Sequence, residues 1–187
     1  MKQESTVKYV MRLAVTLLLI TGVVAAALAG INSITAPRIS ANQQEKTWEA
    51  VEAVLPGAVV SGEVAFTDAT GLVKTVYSAS EGYAVEVAPT GFGGNITLMV
   101  GISHEGTILG VAVVSQTETA GLGAVVAADN QAGHAFRDQF VGLSGKLAVE
   151  KDGGEIDSIT GATITSRAVA EGVNAALACI ANMAEQG

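Results

Sequence analysis

Asp157-Ser158-Ile159-Thr160-Gly161-Ala162-Thr163-Ile164-Thr165-Ser166 sets five hydroxyl side chains around a Gly-Ala pair and runs straight into a helical pattern. Beyond it Val169, Val173, Ala176, Leu177, Ile180 and Ala184 recur at three-and-four spacing, the apolar face of a closing helix. Thr163 therefore stands at a strand-to-helix corner. At such a corner the first backbone N–H groups lack intrahelical acceptors, and the helix dipole favours an anion such as a phosphate. The plain alternative is a helix cap, since Ser and Thr cap well and Gly161 suits a tight turn. Five hydroxyls exceed what one cap needs. A threonine hydroxyl is a weak nucleophile unaided, and no His or Cys stands beside Thr163 in the chain. Any covalent bond formed there calls for a separate enzyme.

Working towards the N-terminus, residues 146–149 read as a short strand before Lys151-Asp152-Gly153-Gly154, and 132–140 as a short helix with Phe136 and Phe140 inward. Residues 96–102 and 108–114 are apolar, β-branched strands joined through Glu105-Gly106 as a hairpin. Residues 73–80 and 83–87 are two more strands, the second alternating, and Pro89-Thr90-Gly91 is a turn. Strands first, a helix between them and a helix to close predict an α+β domain of mostly antiparallel sheet with flanking helices. No Gly-x-Gly-x-x-Gly follows a strand, so a Rossmann-type nucleotide site is not expected.

Between Arg12 and Arg38 no charged residue occurs, and residues 13–31 are apolar apart from Thr16, Thr21 and glycines. About 20 such residues span a bilayer. Lys2, Lys8 and Arg12 precede the segment with Glu4 as the only acid, which puts the N-terminus in the cytoplasm and the remainder on the outer side. A cleaved signal peptide is the competing reading, with Ala27-Leu28-Ala29 as a cleavage site, but the apolar run outlasts the usual signal core. Pro37 is expected to close the anchor, and 39–55 to form a second helix with Trp48, Val51 and Val54 on one side, stopped by Pro56-Gly57. The expected organisation is a cytoplasmic end (1–12), a transmembrane helix (13–34), a juxtamembrane helix with the first strands (35–80) and a cofactor-binding domain (81–187).

Of the chain's 10 basic and 18 acidic residues, 7 and 17 lie beyond that N-terminal end. So acidic a domain does not suit nucleic acid or anionic lipid. Cys179 is the single cysteine, which excludes an intrachain disulfide and a thiolate metal cluster. His104 and His134 have no Cys or carboxylate at ligand spacing, and no metal is expected. Redox chemistry in such a chain has to come from a borrowed cofactor.

The stretch from Asp157 to Thr163 resembles the flavinylation sequence Asp-x-x-Ser/Thr-Gly-Ala-Thr of proteins that carry FMN esterified to the last Thr. These are the G-subunits of Rnf electron-transport complexes, the C-subunits of sodium-pumping NADH:quinone reductases, and related FMN-binding domains. A second stretch is similar to the Rnf G-subunit pattern, running from Gly91-Phe92-Gly93-Gly94 to Ser115-Gln116-Thr117-Glu118-Thr119-Ala120-Gly121-Leu122-Gly123. There Gln116 stands for a His and Ala120 for a Pro, while Gly121 and Gly123 keep the freedom to approach a planar ligand. The resemblance implies FMN held covalently on Thr163, with Gly161 and Ala162 allowing close approach and Asp157 and Thr160 fixing the loop. It further implies hydroxyls of Thr165 and Ser166 near the phosphate, and Glu118, Thr119, Gly121, Leu122 and Gly123 as a wall at the ring. The implied partners are the other membrane subunits of an Rnf-type complex, which couples ferredoxin–NAD redox chemistry to ion transport. A magnesium-dependent flavin transferase with FAD as donor is the implied maturation partner. The alternatives are the C-subunit of the quinone reductase, a free-standing exported FMN domain, and an exported module without cofactor.

Overall fold

The computed structural model describes residues 2–186. The chain divides into two compact units, one ending at Glu45 and one beginning at Lys46. Helix α1 (Lys2–Val54) makes up the first and reaches into the second. Leu17, Leu18, Ile20, Val23 and Leu28 are all more than half exposed along it, so much of its apolar surface is open. It is long and apolar enough to cross a membrane. The hydroxyls within its apolar stretch bond back to the helix, Thr16 donating to the Arg12 carbonyl at 2.7 Å and Thr21 to that of Leu17 at 2.9 Å.

Pro37 does not close α1, which corrects the expectation of a break there and a new helix at 39. An interior proline removes one N–H donor and crowds the turn before it. Ending the helix and starting another would forfeit more bonds and require a second nucleation.

The second unit is built on an antiparallel meander whose spatial order follows the sequence: β1 (Val60–Glu63), β2 (Val73–Ala79), β3 (Gly82–Val87), β4 (Thr97–Ser103) and β5 (Ile108–Ser115). Val76, Val85, Val100 and Val111 stand opposite one another across four strands, so one face presents a continuous branched apolar row. On that face pack α2 (Gln131–Asp138) and α3 (Thr163–Gln186), which, with the residues just after α2, bury Phe136, Phe140, Val169, Val173, Ala176, Cys179 and Ile180. The inward Phe136 and Phe140 meet edge to face, 5.7 Å between centroids. The last turns of α1 cover the opposite face, where Ala50, Val51, Val54 and Leu55 meet Tyr77, Ala79, Ala84 and Met99. Gly101 is required there because a Cβ would lie 2.6 Å from the Val54 carbonyl oxygen. Trp48 is half exposed, leaning over Tyr77 at 5.5 Å rather than joining the core.

The α+β class is as expected, and two local readings change. β1 adds a strand to those the sequence predicts; it is a four-residue edge strand, Val-Ser-Gly-Glu, bulged between Val60 and Gly62. Residues 146–149 do not form a strand: only an isolated bridge joins Val149 to Ile156. The side-chain amide of Asn174 on α3 takes the place of a neighbouring strand, accepting from Leu147 N–H at 2.8 Å and donating to Leu147 O at 2.7 Å.

Glu86 lies on β3, and burial, helped by the charge of Glu63, raises its carboxyl above the usual range. A raised carboxyl favours the folded state while protonated and penalises it once ionised, so its stabilising share is lost as pH rises through the folded value. Glu86→Gln is therefore expected to melt above wild type at pH 7 and level with it near pH 4, measured by circular dichroism.

Candidate functional site

α3 begins at Thr163. The Ala162 carbonyl accepts the first helical bond, from Ser166 N–H at 2.9 Å, so the cap position falls on Ala162, whose methyl side chain has no oxygen to cap with. Thr163 is the first helical residue, partly exposed, and its hydroxyl accepts from Lys151 Nζ at 2.9 Å. Gly161 before it is in the left-handed region at φ +79°, the turn that brings the chain into the helix.

The hydroxyls of this stretch have different employments. Ser166 is fully buried; its Oγ accepts from Ile159 N–H at 3.0 Å and donates to the Ala162 carbonyl at 3.1 Å, which locks the turn onto the helix. Thr165 is 1 % exposed and donates to Glu118 Oε2. Ser158 donates to Glu150 Oε1 at 3.3 Å, and Thr160 is exposed. Thr165 and Ser166 thus point into the protein frame. Asp157 is exposed, and its backbone is clasped by the Gln139 amide, which accepts from its N–H at 2.7 Å and donates to its carbonyl at 3.2 Å.

Glu118 joins the two sequence stretches. Its carboxylate, in a residue 8 % exposed, accepts from Gly93 N–H at 2.7 Å through Oε1 and from Thr165 through Oε2. One side chain thereby ties the glycine-rich turn, the loop after β5 and α3 together. The glycines make room for it. A Cβ at Gly91 would lie 2.5 Å from Oε1, and one at Gly123 would lie 2.5 Å from Oε2 and 2.6 Å from Thr165 Oγ1. Gly121, at φ +75°, faces open space instead. Leu122 is 44 % exposed, and its Cδ2 lies 3.2 Å from where a Cβ of Gly161 would stand, so the two loops touch there. Thr119 is exposed and its carbonyl accepts from Ala124 N–H at 3.1 Å, opening the 3-10 turn Gly123–Ala127.

Sequence reasoning misses Lys151, Gln139 and the inward course of Glu118. Lys151 is visible there only as part of a polar turn; Gln139 lies 18 residues from its partner and carries no local signal. On the other flank of Thr163, Asp152 accepts both Nε and Nη2 of Arg167 at 2.6 Å, and these bonds hold its carboxyl below the ordinary range.

The corner fits FMN. Helix-start N–H groups and the Lys151 ammonium suit a phosphate. Leu122 offers apolar surface to a ring beside the open space at Gly121, and exposed Ile164 (51 %) follows Thr163 in the chain. Two cavities, of 680 and 660 Å³, lie elsewhere, neither lined by Thr163. A group held at Thr163 would lie on the surface.

Fold and site define a class, an FMN-binding domain carried on an apolar membrane helix. The FMN-binding domain family matches residues 91–178, and the family described as the RnfG N-terminal region matches residues 1–54. The G-subunit of the Na(+)-translocating ferredoxin:NAD(+) oxidoreductase complex of Acetobacterium woodii is 32% identical, over 95% of each chain. The G-subunit of the ion-translocating oxidoreductase complex of Methanosarcina acetivorans is 35% identical, over 91% of this chain and 94% of its own. Among solved structures, the C-subunit of the Na(+)-translocating NADH-quinone reductase of Parabacteroides distasonis aligns with a TM-score of 0.45 at 26% identity, over 55% of this chain and 59% of its own. The chain belongs to the G-subunit family of Rnf-type ion-translocating oxidoreductase complexes.

Proposed function

We propose that this chain is the membrane-anchored flavoprotein of an Rnf-type complex, carrying FMN as a phosphoester on Thr163 and relaying electrons among the other membrane subunits. The observation that carries the reading is the meeting of the two flavin-type stretches, 47 residues apart, through the bond from Thr165 to Glu118. FMN, when bound, supplies the redox chemistry. The protein's own residues hold and orient. Thr163 offers the hydroxyl, Lys151 a fixed positive charge beside it, and Gly161 the turn that presents both. Gly121 and Leu122 form the surface nearest a ring, with Thr119 at the start of that loop. Asp157, Thr160, Thr165, Ser166, Glu118 and Gly123 keep the corner in shape, and Ala162 sets the first turn of α3. The anchor is assigned to 13–34 and the flavin domain to 81–187, with 35–80 between them. The basic residues ahead of the anchor support a cytoplasmic N-terminus and an outward domain. Thr163 has no His, Cys or carboxylate bonded to its hydroxyl among the described residues, so a flavin transferase using FAD installs the ester.

The test is production of the full chain with and without a flavin transferase, followed by acid precipitation and denaturing electrophoresis. A yellow band fluorescing under ultraviolet light is expected only with the transferase. A colourless band in both preparations would return Thr163 to a purely structural corner.

A further inference from the structure

Three consecutive side chains of one 3-10 turn, Glu150–Asp152, are matched one by one to the segment that carries Thr163. Glu150 Oε1 accepts from Ser158 at 3.3 Å, Lys151 Nζ donates to Thr163 Oγ1 at 2.9 Å, and Asp152 takes both nitrogens of Arg167 at 2.6 Å. The turn is fixed from below as well. Glu150 N–H donates to the Ile156 carbonyl at 2.9 Å, and Gly154 sits where a Cβ would collide with the Ala148 backbone. The outer two pairs set the register and occupy the carboxylates on either side of Lys151, leaving its ammonium to the Thr163 hydroxyl.

We propose that Lys151 is a positioning residue for flavin attachment: it fixes the rotamer of the Thr163 hydroxyl and stands beside the phosphodiester once that has formed. This rests on the reading of Thr163 as acceptor. A hydroxyl has one proton and two lone pairs, and an ammonium can only donate. Lys151 therefore engages one lone pair, leaving the second for phosphorus and the proton for a base of the transferase. In the transfer, Thr163 Oγ attacks the flavin-side phosphorus of FAD. The Oγ–P bond forms, the P–O bond to the AMP half breaks, and AMP leaves with that electron pair while the hydroxyl proton passes to the transferase. The product is a diester with one negative charge where a neutral hydroxyl stood. A cation in hydrogen-bond contact favours both the developing and the final charge. Arg167 is one helical turn on, at the spacing that shares Thr163's face, but Asp152 holds its guanidinium. Among the described residues, Lys151 is the cation bonded to the Thr163 hydroxyl.

The experiment uses the full-length chain, purified in detergent from a host without the transferase, then incubated with FAD, Mg²⁺ and purified flavin transferase. Initial rates of in-gel fluorescence are recorded over a series of chain concentrations. Lys151→Met is expected to lower kcat roughly tenfold or more, with KM for the chain little changed, as for loss of a charge-assisted bond. Lys151→Arg keeps donor and charge and is expected within about threefold of wild type. Because Lys151 is exposed, the melting curves of both variants should overlay that of wild type. Labelling of Lys151→Met at the wild-type kcat overturns the proposal, and so does a rise in KM alone, which would assign Lys151 to docking. Equal loss in the Met and Arg variants with a lowered melting point overturns it in favour of a structural role. Thr163→Ala is run in parallel: labelling of that variant defeats the acceptor reading itself, whatever Lys151 does.

Discussion

Thr163→Ala is expected to carry no covalent flavin at all, even when produced with the transferase and ample FAD. Intact-mass spectrometry should give the bare polypeptide, and the denatured band should be dark. The fold should survive. Thr163 is not the cap, its hydroxyl has a surface bond to Lys151, and such a neutral-to-charged exposed bond is worth about 1 kcal/mol at most. Ala at the first helical position also has the highest helix propensity. A mass still raised by FMN would move the attachment to another residue, and proteolytic mapping would show which.

The second large effect is expected inside the frame. Glu118→Ala strips the acceptor from Gly93 N–H and from the buried Thr165 hydroxyl at once. Leaving buried donors unpaired costs about 1–3 kcal/mol, and the Glu118 cavity adds to it. Thr165→Val removes the same bond from the other side while roughly keeping shape. A double-mutant cycle between them, by denaturant unfolding of the flavin-free chain, is expected to show a coupling of about 1–2 kcal/mol. Additive losses would mean that the two side chains are merely neighbours. Gly123→Ala is the steric counterpart: its Cβ would press between Glu118 and Thr165, whereas Gly121→Ala meets only its positive φ.

Much of the architecture can be read from residue pattern because its signals are local. Strands β2 to β5 alternate or run apolar between turns, and α3 repeats every three or four residues, so each element announces itself. β1 does not, since four residues including a glycine at positive φ carry little pattern. Pro37 misleads, because the cost of one proline is small beside that of ending a long helix. Residues 146–149 have strand composition but find a side-chain amide where a strand would be. At the candidate site, the helix start at Thr163 is legible from the sequence, whereas the use of each surrounding hydroxyl is not. Thr165 bonds to Glu118 across 47 residues, a separation no local rule spans. Glu118 itself reads as one residue of a ligand wall; its burial follows from glycines at 91 and 123 that lie apart in sequence and close in space. Lys151 is 12 residues from Thr163 and reaches it across a turn that Asp152 also pins to Arg167.

The half-open setting of Thr163, with exposed Leu122 and Ile164 beside it and both cavities elsewhere, bears on how fast such a protein works. Enzymes that enclose their reactants wait for a lid or hinge to open, often on the microsecond-to-millisecond scale. On the proposed attachment at Thr163, the flavin would sit on the outside of a sheet-and-helix body and would need no door. Exchange with a neighbour would then be limited by docking of two surfaces, and the shielding of the group from water would fall to whichever neighbour is docked.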